Sequence, residues 1–108
     1  IRRAGNGLLE SMDQSRQLPL GIQSGQTYVD SVEHLQPGDA LFIYTDGITE
    51  ARDPQGEFYG LGRLDDVLMN RTNRSASELL QDALASLTNF AKEATAGDDR
   101  TLLAVTVR

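Results

Sequence analysis

The chain has no cysteine and only one histidine, His34. The first absence removes disulfides, thiolate nucleophiles and Cys-type zinc sites together, and it fits a reducing compartment. The second leaves no His-rich metal cage and no pair of histidines to share acid and base roles. Positive charge is also in short supply: 10 Lys and Arg stand against 16 Asp and Glu, for a net charge of −6. An acidic surface repels phosphate backbones, so nucleic acid is not an expected partner. The basic residues are scattered, with Arg2–Arg3 and Arg71–Arg74 the nearest thing to clusters. No apolar run approaches the roughly 20 residues that a membrane helix needs, and no signal peptide is visible. A cytoplasmic location is therefore expected for this part, even where a parent chain is membrane-anchored. The sequence opens Ile-Arg-Arg, without methionine, in what reads as a strand edge, so a piece of something longer is expected.

What is present suits one domain with a modest core, since 39% of the 108 residues are hydrophobic. Turn signals stand at Gly5-Asn6-Gly7 and around Pro19 and Gly21, with a short strand expected between them at Gly7–Glu10. The stretch "QTYVDSVEHL" alternates at Tyr28, Asp30, Val32 and His34 and predicts a strand. "QPGD" then turns the chain into "ALFIYT". That apolar run predicts a central strand covered on both faces, with Phe42 and Tyr44 in the core. After the turn Asp53-Pro54-Gln55-Gly56, helical spacing of Leu61, Leu64, Val67 and Leu68 predicts a short helix over Gly62 to Asn70. Ser75 and Glu78 form a capping box. Behind it Ala76, Leu79, Leu80, Ala83, Leu84, Leu87 and Phe90 make one apolar stripe, read as core. "RTLLAVTVR" closes the chain as a strand. Strands, two helices and a strand give α+β or layered α/β rather than a repeating βαβ pattern.

Asp46 ends one apolar strand, and Asp98 and Asp99 begin another. If the two strands are antiparallel neighbours, Asp46 and Asp98 project from one rim. Carboxylates brought together repel each other, and a hard divalent cation offsets that repulsion. Oxygen ligands without Cys or a His cluster point to Mg²⁺ or Mn²⁺ rather than zinc. The competing reading is structural. Asp46-Gly47 is a strong two-residue hairpin signal, and Gly97-Asp98-Asp99 suits an ordinary loop entering a strand. Spacing alone leaves both readings open.

The words in their order add more. "LQPGDALFIYTDGITEARDPQGEFYG", followed after two helices by "GDDRTLLAVTVR", resembles the C-terminal half of the PP2C-like (PPM) serine/threonine phosphatases. The bacterial branch typified by SpoIIE and RsbU is the one it is most similar to. "AGN" resembles that branch's Ala-Gly-His element, with Asn6 where histidine is usual, and "LPLG" matches a piece that precedes "PGD". The resemblance implies an α-β-β-α sandwich of two antiparallel sheets flanked by helices, of which residues 1–108 are the C-terminal portion. It implies a binuclear Mn²⁺ or Mg²⁺ site with Asp46 and Asp98 as metal ligands, Asp99 in support, and Gly47 allowing close backbone approach. The family's other metal-binding aspartates lie in its N-terminal half, so this chain alone is expected to have little activity.

The activity implied is hydrolysis of phosphoserine or phosphothreonine without a phosphoenzyme. The implied partners are a phosphorylated STAS-domain anti-sigma-factor antagonist and an upstream sensor or receiver domain. The rival function is a catalytically inactive adaptor of the same fold. Half a sandwich also exposes a sheet edge and apolar faces, so pairing with the other half or homodimerisation is expected. Among the remaining residues, His34, Glu50 and Arg63 read as surface groups, and Phe58 and Tyr59 as anchors for the loop after Asp46.

Overall fold

The computed structural model describes residues 1–12, 21–69, 73–92, 94 and 99–108. Its elements run β1 (Ala40–Tyr44), α1 (Asp46–Thr49), α2 (Gly60–Leu68), α3 (Ala76–Ala91) and β2 (Leu102–Thr106). The order is that of an α+β chain. Among the described residues β1 and β2 form a two-stranded antiparallel sheet, with Ala40 opposite Thr106 and Tyr44 opposite Leu102. On the other edge of β1, Arg2 exchanges backbone hydrogen bonds with Ala40 at 2.8 and 2.9 Å. The strand expected at Gly7–Glu10 shrinks to one bridge, Leu9 to Arg2, in a hairpin closed by the Gly7 N–H donating to the Arg3 carbonyl at 2.9 Å.

The turn into β1 has a clear cause. Gln36-Pro37-Gly38-Asp39 carries proline at the second position and glycine at φ +90° at the third, and the Asp39 N–H closes onto the Gln36 carbonyl at 2.9 Å. Those are the requirements of a type II turn. Asp39 is 2% exposed. Its carboxylate accepts from the Gln36 N–H at 2.9 Å, the Ala4 N–H at 2.8 Å and Arg3 Nη1 at 3.0 Å. Those backbone donors, Gln36 first and then Ala4, together with the Arg3 hydrogen bond, hold its pKa down at about 2. One buried carboxylate thus joins the N-terminal hairpin, the turn and β1.

Helix α3 starts where the sequence places it. The Ser75 hydroxyl accepts from the Glu78 N–H at 3.1 Å, and the Glu78 carboxylate accepts from the Ser75 N–H at 3.0 Å. Leu79, Ala83 and Leu87 are buried in the core with residues of the sheet and α2, and Ala91 is buried at the end of the helix. Leu84 departs from the expectation, being 54% exposed. It lies on the flank of the stripe, and two strands are too narrow to cover a stripe of that width. Helix α2 begins two residues earlier than predicted, at Gly60, and ends at Leu68; Asn70 lies outside the described residues.

Two other expectations are corrected. The segment 26–35 forms no strand, and Val29 and Val32 are 67% and 77% exposed. Alternation specifies a face, but a strand also needs a neighbouring edge, and Arg2 occupies the start of the second edge of β1. It is Arg3 that ties this segment down, through the His34 carbonyl at 2.7 Å and Glu33 at 3.3 Å. Nor is β1 covered on both faces. Phe42 packs on the core, but Tyr44 is 37% exposed, and the opposite face of the sheet presents Leu41, Ile43, Leu103 and Val105, mostly to solvent. All described helices that pack on the sheet lie on the Ala40–Phe42–Leu102 side.

Candidate metal centre at the strand ends

The antiparallel register brings the end of β1 to the start of β2. Beyond the last ladder pair, the Thr45 N–H donates to the Thr101 carbonyl at 3.1 Å, and the Thr101 N–H donates to Thr45 Oγ1 at 3.1 Å. Thr45 stands at the N-cap of α1 yet makes no side-chain cap there, because its hydroxyl faces β2 instead. The pair staples the two strand ends together.

Asp46 and Gly47 open α1 rather than a hairpin. Gly47 is not among the residues with positive φ, so the two-residue hairpin reading, which requires that conformation, does not apply. What Gly47 provides is space. A Cβ there would overlap the Asp99 carbonyl oxygen, and would stand 2.8 Å from its carbon and 3.3 Å from the Arg100 Cα. The "TDG" and "DDRT" segments are therefore in backbone contact. Ile48, 3% exposed, and the buried Ala51 fix α1 to the core behind them. Asp46 and Asp99 are both exposed at this rim, and Asp98 lies outside the described residues.

Around the rim the loop is rigidly tied. The Tyr59 N–H donates to the Ala51 carbonyl at 2.6 Å, and Asp53 Oδ1 accepts from the Gln55 and Glu57 N–H groups at 2.9 Å each. Tyr59, 1% exposed, bonds Ser86 Oγ through its hydroxyl at 2.7 Å and meets the Phe90 ring edge-on. Phe58 is 46% exposed and anchors less than expected, lying under Arg52. Arg63 is more than a surface group. It donates to the Phe58 and Tyr59 carbonyls at 2.8 Å and stacks 4.4 Å from the Phe90 centroid, so it latches the loop to α3. His34 and Glu50 are exposed. Sequence reasoning missed the Thr45 staple; its only signal was a threonine where a helix cap and a strand end coincide.

The donors at the rim are carboxylate oxygens, a set that fits hard cations such as Mg²⁺ or Mn²⁺. Among the described residues no group of three or more His, Asp or Glu stands together to hold a metal ion. No helix among them is long and apolar enough to cross a membrane.

Comparison with known proteins bears on the whole chain. Residues 1–108 match the family described as Stage II sporulation protein E (SpoIIE). Protein IcfG of Synechocystis sp. (strain ATCC 27184 / PCC 6803 / Kazusa) is 36% identical over 88 residues, which are 80% of this chain and 13% of that protein. The chain thus spans a small fraction of the relative's length. No solved structure matches. With the match running from end to end and the two acidic motifs in backbone contact, the chain belongs to the SpoIIE family of PP2C-like phosphatases.

Proposed function

We propose that residues 1–108 are the C-terminal portion of a metal-dependent protein serine/threonine phosphatase domain. The observation that supports this most directly is the Gly47–Asp99 contact, which sets two acidic motifs, far apart in sequence, at one rim. Asp46 and Asp98 would hold the cations, Asp99 would support them, and the upstream half of the domain would supply the other ligands. A bound Mg²⁺ or Mn²⁺ would supply charge to offset the phosphoryl oxygens and would lower the pKa of its water, so that hydroxide is available near neutral pH. The chain's own part is positional. Thr45 and Gly47 tie the two strand ends together, and Ile48 anchors α1, so the backbone that carries Asp46 is held at the rim. The exposed face of Leu41, Ile43, Leu103 and Val105 would receive the second sheet of a sandwich. The substrate class we assign is a phosphoserine or phosphothreonine on a STAS-domain anti-sigma-factor antagonist, with a sensor or receiver domain upstream.

The test is phosphoserine-peptide hydrolysis by a protein carrying both halves of the domain. Turnover should require Mn²⁺ or Mg²⁺, and Asp46→Asn and Asp98→Asn should each reduce it by at least about a hundredfold, as removal of a group that stabilises transition-state charge does. Undiminished turnover in excess chelator would remove the metal mechanism. A neutral response to both substitutions would leave the adaptor role.

A further inference from the structure

Arg100 stands apart from most other arginines described. Arg3 is held by Glu10, Glu33 and Asp39, Arg74 by Glu78 and Asp82, Arg63 by two carbonyls and the Phe90 ring, and Arg52 lies over Phe58. Arg2 is buried. Arg100 is exposed and makes no ion pair among the described residues, although it sits at the rim itself. Arg108 lies past the far end of β2.

The mount of Arg100 is firm on both sides. The carbonyl before it packs on Gly47, and the residue after it, Thr101, is bonded twice to Thr45. The Arg100 Cα stands 3.3 Å from where a Gly47 Cβ would lie, which sets Arg100 beside the Asp46–Gly47 start of α1. A phosphorylated ligand approaching this rim meets Asp46 and Asp99 on a molecule of net charge −6. The cation that the described residues offer it there is Arg100. A guanidinium offers two parallel N–H donors that match two oxygens of a phosphate, and it stays charged at any working pH.

We propose that Arg100 binds the phosphate of the substrate and orients it at the rim. This rests on the phosphatase reading above and adds a named residue for substrate binding. Arg100 then contributes to capture of the phosphomonoester rather than to the attack on it.

The experiment uses a protein with the complete domain, p-nitrophenyl phosphate as substrate and inorganic phosphate as competitive inhibitor. Arg100→Gln should raise KM and the phosphate inhibition constant together by about tenfold, the scale of one charge-assisted hydrogen bond, with kcat within about twofold. Arg100→Lys should recover part of the loss, since it keeps the charge but not the fork. Unchanged KM and inhibition constant in Arg100→Gln, with Asp46→Asn still abolishing turnover, would overturn the role of Arg100 and leave the phosphatase reading standing. A fall in kcat alone would overturn it as well. If Asp46→Asn proves neutral, the phosphatase reading fails by itself. Calorimetric titration of inorganic phosphate then judges Arg100 directly: binding weakened about tenfold in Arg100→Gln supports the site, and equal binding refutes it.

Discussion

Replacing Gly47 by alanine tests the contact on which the rim depends. In an ordinary helix the change stabilises, by about 1 kcal/mol, because alanine loses less backbone freedom. Here the new methyl group would overlap the Asp99 carbonyl oxygen and lie 2.8 Å from its carbon. The oxygen is the nearer atom and sets the demand, so the 99–101 segment must retreat by roughly 1 Å or more to restore ordinary van der Waals contact. Helix α1 cannot yield in its place, because Ile48 is buried behind it. Both Thr45–Thr101 hydrogen bonds, at 3.1 Å, already sit near the long end of the usual range. The retreat breaks them, at about 1 kcal/mol each, and residual overpacking adds about 1–3 kcal/mol. After the helical gain is subtracted, Gly47→Ala should destabilise by about 2–4 kcal/mol, read as a lower urea midpoint at unchanged slope. Gly62→Ala is the control. It lies inside α2 with nothing within 4 Å of its Cβ position, and it should be neutral or stabilising. A Gly47→Ala protein as stable as the Gly62→Ala protein would refute the backbone contact.

Three further expectations follow from the packing and the charges. Asp39 has a folded pKa of about 2 against a usual 3.8, so its ionised form stabilises the fold above about pH 4 and that contribution is lost as pH falls toward 2; Asp39→Asn should lower the melting temperature at pH 7 and flatten that acid limb in a pH series. Ser75→Ala removes the cap of α3 and should cost about 1 kcal/mol in urea unfolding, with helix signal lost from the first turn. Ile43→Lys, at a residue 54% exposed, should leave this chain's stability within about 0.5 kcal/mol but sharply lower the melting temperature of a protein with both halves of the domain; equal melting there would argue against a second sheet on that face.

What the sequence disclosed and what it concealed divide along the range of the interactions involved. Helix α3 could be read because its cap, Ser75 with Glu78, and its stripe are local. The Gln36–Asp39 turn was equally legible, since proline and glycine fix its dihedrals. The exposure of Leu84 and Tyr44 was not legible, because it depends on how many strands lie across from them. For the same reason segment 26–35 has the composition of a strand without becoming one. Helix α1 was masked by Asp46-Gly47, whose local preference is a turn; burial of Ile48 and the press of Asp99 against Gly47 override it. At the site, strand direction made the meeting of the two acidic ends a conditional deduction, and the pairing of β1 with β2 meets that condition. Thr45 gains its place against Thr101 only from the register, which no local pattern encodes.

The apolar character of both sheet faces carries a last consequence. When one side of a strand is greasy and the other polar, a slip by one residue is penalised at every position. Here Leu41 and Ile43 are as apolar as Ala40 and Phe42, so a slipped ladder would lose little by hydropathy. Alignment then leans on the Thr45–Thr101 pair and on the notch where residue 47 admits the backbone of residue 99. A misaligned sheet could not seat that notch, so a folding error of this kind would part Asp46 from Asp99 while leaving the apolar faces of the sheet matched.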